Sequence, residues 1–128
     1  MLAYNAVRRV NEQGIPGDIV ESGVYRGGMS CFMARSQMQF VSTAALPPRS
    51  AWLFDTFEGM PPPSKRDDKK ARTLYANFVN GTTDHLGCPV RDGRWCYGPF
   101  VNVRDAMLTT AGYPPKLVRM IKGRVEET

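Results

Sequence analysis

Gly17-Asp18-Ile19-Val20-Glu21-Ser22-Gly23-Val24-Tyr25-Arg26-Gly27-Gly28 decides how the rest of the chain is read. Ile19 and Val20 lead into an acidic residue and then into glycines, and a helical pattern follows from Met29 to about Phe40. The order is strand, tight turn, helix. The first turn of such a helix leaves backbone N–H groups without intrahelical partners, and the helix dipole adds positive potential there. A small anionic or zwitterionic ligand suits that turn. A glycine-rich strand-to-helix connection with no ligand is the alternative.

Spacing narrows the ligand. A dinucleotide fold would show G-x-G-x-x-G, and a P-loop would end in Gly-Lys-Ser/Thr. Here Glu21 stands two residues before Gly23, three residues follow, and then come Gly27 and Gly28. This acid-x-Gly-x-x-x-Gly pattern resembles the first motif of class I S-adenosylmethionine (SAM) methyltransferases. The resemblance implies glycines that allow close backbone approach to the methionine part of the cofactor, and a carboxylate that faces its ammonium.

The 128 residues suffice for one small domain, and a hydrophobic content of 42% predicts a folded chain. Seventeen basic against 12 acidic residues give a net charge of +5 and a pI of 9.4. That excess permits contact with phosphates without requiring it. Lys65, Arg66, Lys69, Lys70 and Arg72 supply much of it, diluted by Asp67 and Asp68, with no interleaved aromatics. The run reads as a solvated face, and no nucleic-acid partner is expected. Cys31, Cys88 and Cys96 are too few for a disulfide framework. Arg8 and Arg9 follow only a short apolar stretch, the wrong order for a secretory signal, and no apolar run approaches a membrane span. A soluble cytoplasmic protein is expected.

Along the chain, Leu2, Ala3, Ala6, Val7 and Val10 recur at helical spacing up to Gly14 and Pro16. The helix after the glycine turn offers Phe32, Met33, Met38 and Phe40 as core candidates, with Arg35 and Gln39 facing water. Leu46-Pro47-Pro48-Arg49 is a loop. Ala51-Trp52-Leu53-Phe54-Asp55 reads as a buried parallel strand covered on both faces. Pro61-Pro62-Pro63 predicts a stiff extended link. Asp67 or Asp68 caps a helix through Leu74 and Phe78 that ends at Asn80-Gly81. Residues 82–98 show no period and read as an irregular loop or insertion. Asn102 with Asp105 marks another helix start, with Val103, Met107 and Leu108 inward. Leu117 to Ile121 makes the third strand.

Strands alternating with helices predict an α/β fold with a parallel sheet. Ligands in open sheets of this kind sit beyond the carboxyl ends of the strands. Those ends are Glu21 to Gly28, Asp55 to Gly59, and Lys122 to Arg124. Asp55 stands where nucleoside-binding sheets place a carboxylate to accept two ribose hydroxyls, although capping its own turn is a competing role. Phe57 either covers an adenine or packs into the core.

Three blocks then carry a family resemblance. They are Gly17 to Gly28, Asp55-Thr56-Phe57-Glu58-Gly59-Met60-Pro61, and Lys122-Gly123-Arg124-Val125-Glu126-Glu127-Thr128. Together they resemble the macrocin O-methyltransferase family, SAM-dependent enzymes acting on sugar hydroxyls of macrolides. Tyr25 stands where the family commonly has tryptophan, and Thr56 where it has serine. The resemblance implies a partial Rossmann-like class I methyltransferase fold, three-layered, with the later strands missing. It also implies that residues 1–128 form a single SAM-binding domain, the N-terminal cofactor-binding half of such an enzyme. Glu21, Gly23, Val24, Tyr25, Gly27 and Gly28 would line the methionine side, Asp55 the ribose and Phe57 the adenine. Ser22, Arg26 and Thr56 belong to the same set, with Arg26 orienting the cofactor carboxylate or bracing the turn through a salt bridge.

Family members carry a divalent metal, magnesium, on an aspartate cluster expected beyond Thr128, so no metal ligand is assigned within the chain. No catalytic base is assigned either, since His85 is the lone histidine and reads as a surface residue. Asp84, His85, Cys88 and Cys96 are a loose candidate zinc set that lacks paired spacing. The implied partner is a small, glycosylated substrate, with no membrane. An uncovered strand edge predicts self-association and no methyl transfer by the chain alone. A non-catalytic interaction module is the competing reading.

Overall fold

The computed structural model describes residues 2–44, 46–81 and 94–128. Asp84, His85 and Cys88, three of the four zinc candidates, lie outside the described residues.

Three parallel strands form the sheet: β1 (Ile19–Ser22), β2 (Ala51–Asp55) and β3 (Val118–Lys122), in the order β1-β2-β3. Ile19 pairs with Ala51 and Ser22 with Phe54, while Ala51 pairs with Val118 and Asp55 with Lys122. Because side chains alternate along a strand, Glu21, Leu53 and Met120 share one face, and Val20, Trp52 and Arg119 the other. The first face is the core: Ala51, Leu53, Ala34, Val103, Met107 and Tyr113 are buried together. The second is only partly covered, with Val20 62% exposed. Cover on both faces, expected from the apolar run of β2, is therefore uneven among the described residues. One face carries nearly all the packing.

Helix α1 (Leu2–Glu12) is amphipathic, and Val7 and Asn11 are its buried residues. Leu2, expected inward, begins the helix and is 88% exposed. Asn11 Nδ2 donates to Val7 O at 2.7 Å and to Gln37 Oε1 at 2.8 Å, and Gln37 Nε2 donates back to Asn11 Oδ1 at 3.2 Å. This reciprocal amide pair joins α1 to α2 (Gly28–Ala44) with its polar atoms satisfied. The fully buried residues of α2 are Ser30, Ala34, Ser36 and Gln37, while of the expected methionine and aromatic stripe Met38 packs partly buried against the core and Phe40 lies 6.2 Å from the Tyr4 ring of α1. Phe32 is 45% exposed.

Helix α3 (Lys69–Val79) is capped by Asp68, whose carboxylate accepts from Ala71 N at 2.7 Å, and it closes at Asn80 with Gly81 left-handed. Helix α4 (Phe100–Asp105) starts two residues before Asn102, the expected cap, with Pro99 at the N-cap and Pro99 O accepting from Val103 N. After Asp105 the chain widens into a π-helical turn, Ala106–Thr110. Val103 and Met107 both stay in the core across that change. Leu117, expected in the third strand, closes a short 3-10 turn before it. Among the described residues no helix is long and apolar enough to cross a membrane.

Candidate functional site

Parallel pairing sets the ends of all three strands side by side. Gly23 N donates to Phe54 O at 2.9 Å and Gly123 N to Asp55 O at 3.1 Å, carrying the ladder into the turns. Ser22 lies opposite Phe54, which places Asp55 beside the glycine turn. Asp55 Oδ2 accepts from Val24 N at 2.7 Å and Tyr25 N at 3.0 Å, and Oδ1 accepts from Phe57 N at 2.8 Å. One carboxylate therefore holds three amides from two turns. An ionised carboxylate offers about four acceptor positions, so little capacity remains for two ribose hydroxyls.

The expected unpaired donors of the glycine turn are largely committed. Val24 and Tyr25 donate to Asp55, Gly23 to Phe54, and Gly27 N to Val24 O at 2.9 Å. The cause is an acidic side chain contributed from 30 residues away, which the local motif does not reveal.

Glu21 is half-buried and accepts from Ser30 Oγ at the start of α2. Burial pushes its carboxyl above the ordinary value and the nearby Asp55 charge adds to this, while the Ser30 hydrogen bond pulls the other way. Burial likewise pushes the Cys31 thiol up, helped by the Glu21 charge. Gly27 is left-handed, and a Cβ there would lie 3.0 Å from Val103 Cγ1. The glycine thus lets α4 close on the turn. Gly28 opens α2 and is exposed, and the Arg26 guanidinium lies 5.1 Å from the centroid of the Tyr25 ring.

Beyond the strand ends lies a cavity of about 770 Å³, within the roughly 300–1,000 Å³ typical of small-molecule and cofactor sites. Ser22, Gly23, Tyr25, Asp55 and Thr56 of the predicted set lie on its walls. A Cβ at Gly23 would meet nothing within 4 Å, so a ligand can approach the backbone there. Glu21, Val24, Arg26, Gly27, Gly28 and Phe57 are not wall residues. Phe57 takes the second of its two predicted roles: it is 3% exposed, edge-on to Phe100 with centroids 5.0 Å apart.

The rest of the walls lies outside the predicted site set, Met60, Cys96, Val125 and Glu126 among them. Cys96 sits in the aperiodic stretch, where only the glycines at 59 and 98 hint that chain segments meet. Tyr25, Phe57 and Cys96 each hold a φ of 53°. This left-handed conformation costs non-glycine residues about 1–2 kcal/mol each, and it occurs here in three of the four segments around the cavity. Lys122 Nζ and Glu58 Oε1, 2.8 Å apart, pair across the rim. Among the described residues no three of His, Cys, Asp and Glu are grouped closely enough to hold a metal ion.

The fold is that of an O-methyltransferase. The structure of the O-methyltransferase NovP matches 98% of this chain and 45% of its own, with a TM-score of 0.63 at 22% identity. The family model for macrocin-O-methyltransferase (TylF) matches residues 3–84, and the chain belongs to that family. It is 47% identical over 55 residues to the 8-demethyl-8-(2,3-dimethoxy-alpha-L-rhamnosyl)-tetracenomycin-C 4'-O-methyltransferase of Streptomyces olivaceus, covering 43% of this chain and 20% of that enzyme. It is 35% identical over 80 residues to the mycinamicin III 3''-O-methyltransferase of Micromonospora griseorubida, covering 62% of this chain and 30% of that enzyme. The chain spans less than half the length of each of these relatives in the matched regions.

Proposed function

We propose that this chain is the cofactor-binding portion of a SAM-dependent O-methyltransferase whose acceptor is a sugar hydroxyl on a small glycosylated molecule. One observation carries the reading: the glycine turn after β1 and the acidic turn after β2 are tied together by Asp55 at the mouth of one cavity. Family membership supports the reaction class, and the rhamnosyl tetracenomycin and mycinamicin enzymes support the class of acceptor.

The cavity suits SAM in size and in its mixture of carboxylate, backbone and apolar wall. Ser22, Gly23 and Tyr25 would line the amino-acid end and Thr56 the ribose side, while Asp55, its oxygens taken by turn amides, holds both turns in place. Glu21, Val24, Gly27 and Gly28 act behind them, shaping the turn. Arg26 braces Tyr25 from the solvent side. Bound there, SAM would supply an electrophilic methyl group to the acceptor oxygen. Holding that oxygen in line falls to groups outside the described cavity walls, and the divalent metal belongs to that part of the proposal.

Isothermal titration with SAM and with S-adenosylhomocysteine tests the reading. Heat with a one-to-one stoichiometry is expected, and silence from folded protein at millimolar ligand would refute it. A non-catalytic interaction module is favoured by one feature, the internal pairing of the turn amides, and it predicts a folded dimer that ignores both ligands.

A further inference from the structure

Trp95, Cys96, Tyr97 and Gly98 run into α4 while touching both turns at the cavity mouth. Met60 N donates to Trp95 O at 2.8 Å, and a Cβ at Gly59 would lie 2.4 Å from that same oxygen. On the other side, a Cβ at Gly98 would lie 1.7 Å from Tyr25 O. Contacts between backbone and backbone cannot be relieved by a rotamer change, so each glycine is required and each neighbouring turn is held in place. The Trp95 ring is buried and meets Tyr75 edge-on at 5.2 Å, which fastens the segment to α3. Between these anchors Cys96 is left-handed and lies on the cavity wall.

We propose that residues 95–98 are a rigid wall of the cofactor cavity, in which Cys96 touches the bound cofactor and Gly98 is a positioning residue that sets Tyr25. This rests on the cofactor reading above. The wall is built from main chain and one small, polarizable side chain, which leaves room beside Gly23 and Asp55 for a nucleoside-linked amino acid. A larger side chain at 96 would project into that space, and any side chain at 98 would displace the Tyr25 carbonyl.

The test is alkylation of the full chain by iodoacetamide with and without saturating S-adenosylhomocysteine, read cysteine by cysteine by peptide mass spectrometry. Cys96 is expected to react at least tenfold more slowly with ligand present, while Cys31 keeps its rate. Ligand heat in calorimetry together with unchanged Cys96 reactivity overturns the wall and leaves the cofactor reading standing. Absence of ligand heat removes both. Cys96→Leu, which leaves the backbone contacts alone, should weaken binding at least tenfold with unchanged circular dichroism, and full affinity would overturn the contact. Gly98→Ala, if folded, should weaken binding tenfold and change the unliganded Cys96 alkylation rate. Wild-type values for both would remove its positioning role.

Discussion

Asp55 is the residue on which the site's shape rests, because its two oxygens hold amides from both turns. Hydrogen bonds to a charged group contribute about 1.5–3 kcal/mol each in net terms. Asn at this position keeps one acceptor oxygen and turns an NH2 toward N–H donors. Asp55→Asn should therefore lower unfolding stability by about 2 kcal/mol in urea titrations, with cofactor binding lost as well. Glu21 gives a prediction in pH. Its carboxyl is raised above the ordinary 4.5, chiefly by burial, so the folded chain holds that proton more tightly than the unfolded one. The ionised form is thus penalised in the folded state above the raised value, and the penalty fades as pH falls toward 4.5. Glu21→Gln should be more stable than the parent at pH 7, with the difference shrinking through that window in paired urea melts. A constant difference across pH would contradict this account.

At the scale of elements, the contact between α4 and the glycine turn depends on an absent side chain. Gly27→Ala places a methyl group against Val103 in a left-handed backbone, and the backbone alone costs about 1–2 kcal/mol. The thermal midpoint should fall, and in a Val103→Ala background the same substitution should cost less by the steric part alone. No cost in that background would mean that φ at 27 carries no strain. The cap on α3 is independent of the site. Asp68→Ala should cost about 1 kcal/mol in the same melts and leave ligand binding intact. Some of this scale was readable in advance. The Asp68 cap, the Asn80-Gly81 stop and the limits of β2 follow from turn chemistry and a short apolar run, which act within a few residues. Helix α4 starts before the Asn102 cap that the spacing predicts because Pro99, preset for the turn before a helix, takes the N-cap.

Over the whole molecule, β1 is an edge strand among the described residues, and Val20, Met29 and Phe32 are 62%, 51% and 45% exposed on β1 and α2. An unpaired edge beside apolar side chains promotes association. Sedimentation should show concentration-dependent self-association that Val20→Lys with Phe32→Glu suppresses. A monomer at all concentrations for the parent would contradict it. The opposite pole of the sheet is fastened differently. Arg49 donates from its guanidinium to Gly17 O, Val10 O and Ile15 O, while its own carbonyl accepts from Tyr113, whose hydroxyl is pushed up to about 12 mainly by burial. That arrangement binds the end of α1 to β2, away from the cavity.

The strand, glycine turn and helix at 17–40, the parallel α/β order, the family and the three turns at one edge of the sheet were all legible in the amino-acid order alone. Those features are written in periods and in residues a few positions apart. Folding in three dimensions was needed to bring Asp55 onto the turn amides, Phe57 into the core and Cys96 onto the wall. Each of these depends on groups about 30 residues or more apart in sequence being brought within a few ångströms by strand register and backbone-on-backbone packing, and local composition carries no trace of that geometry.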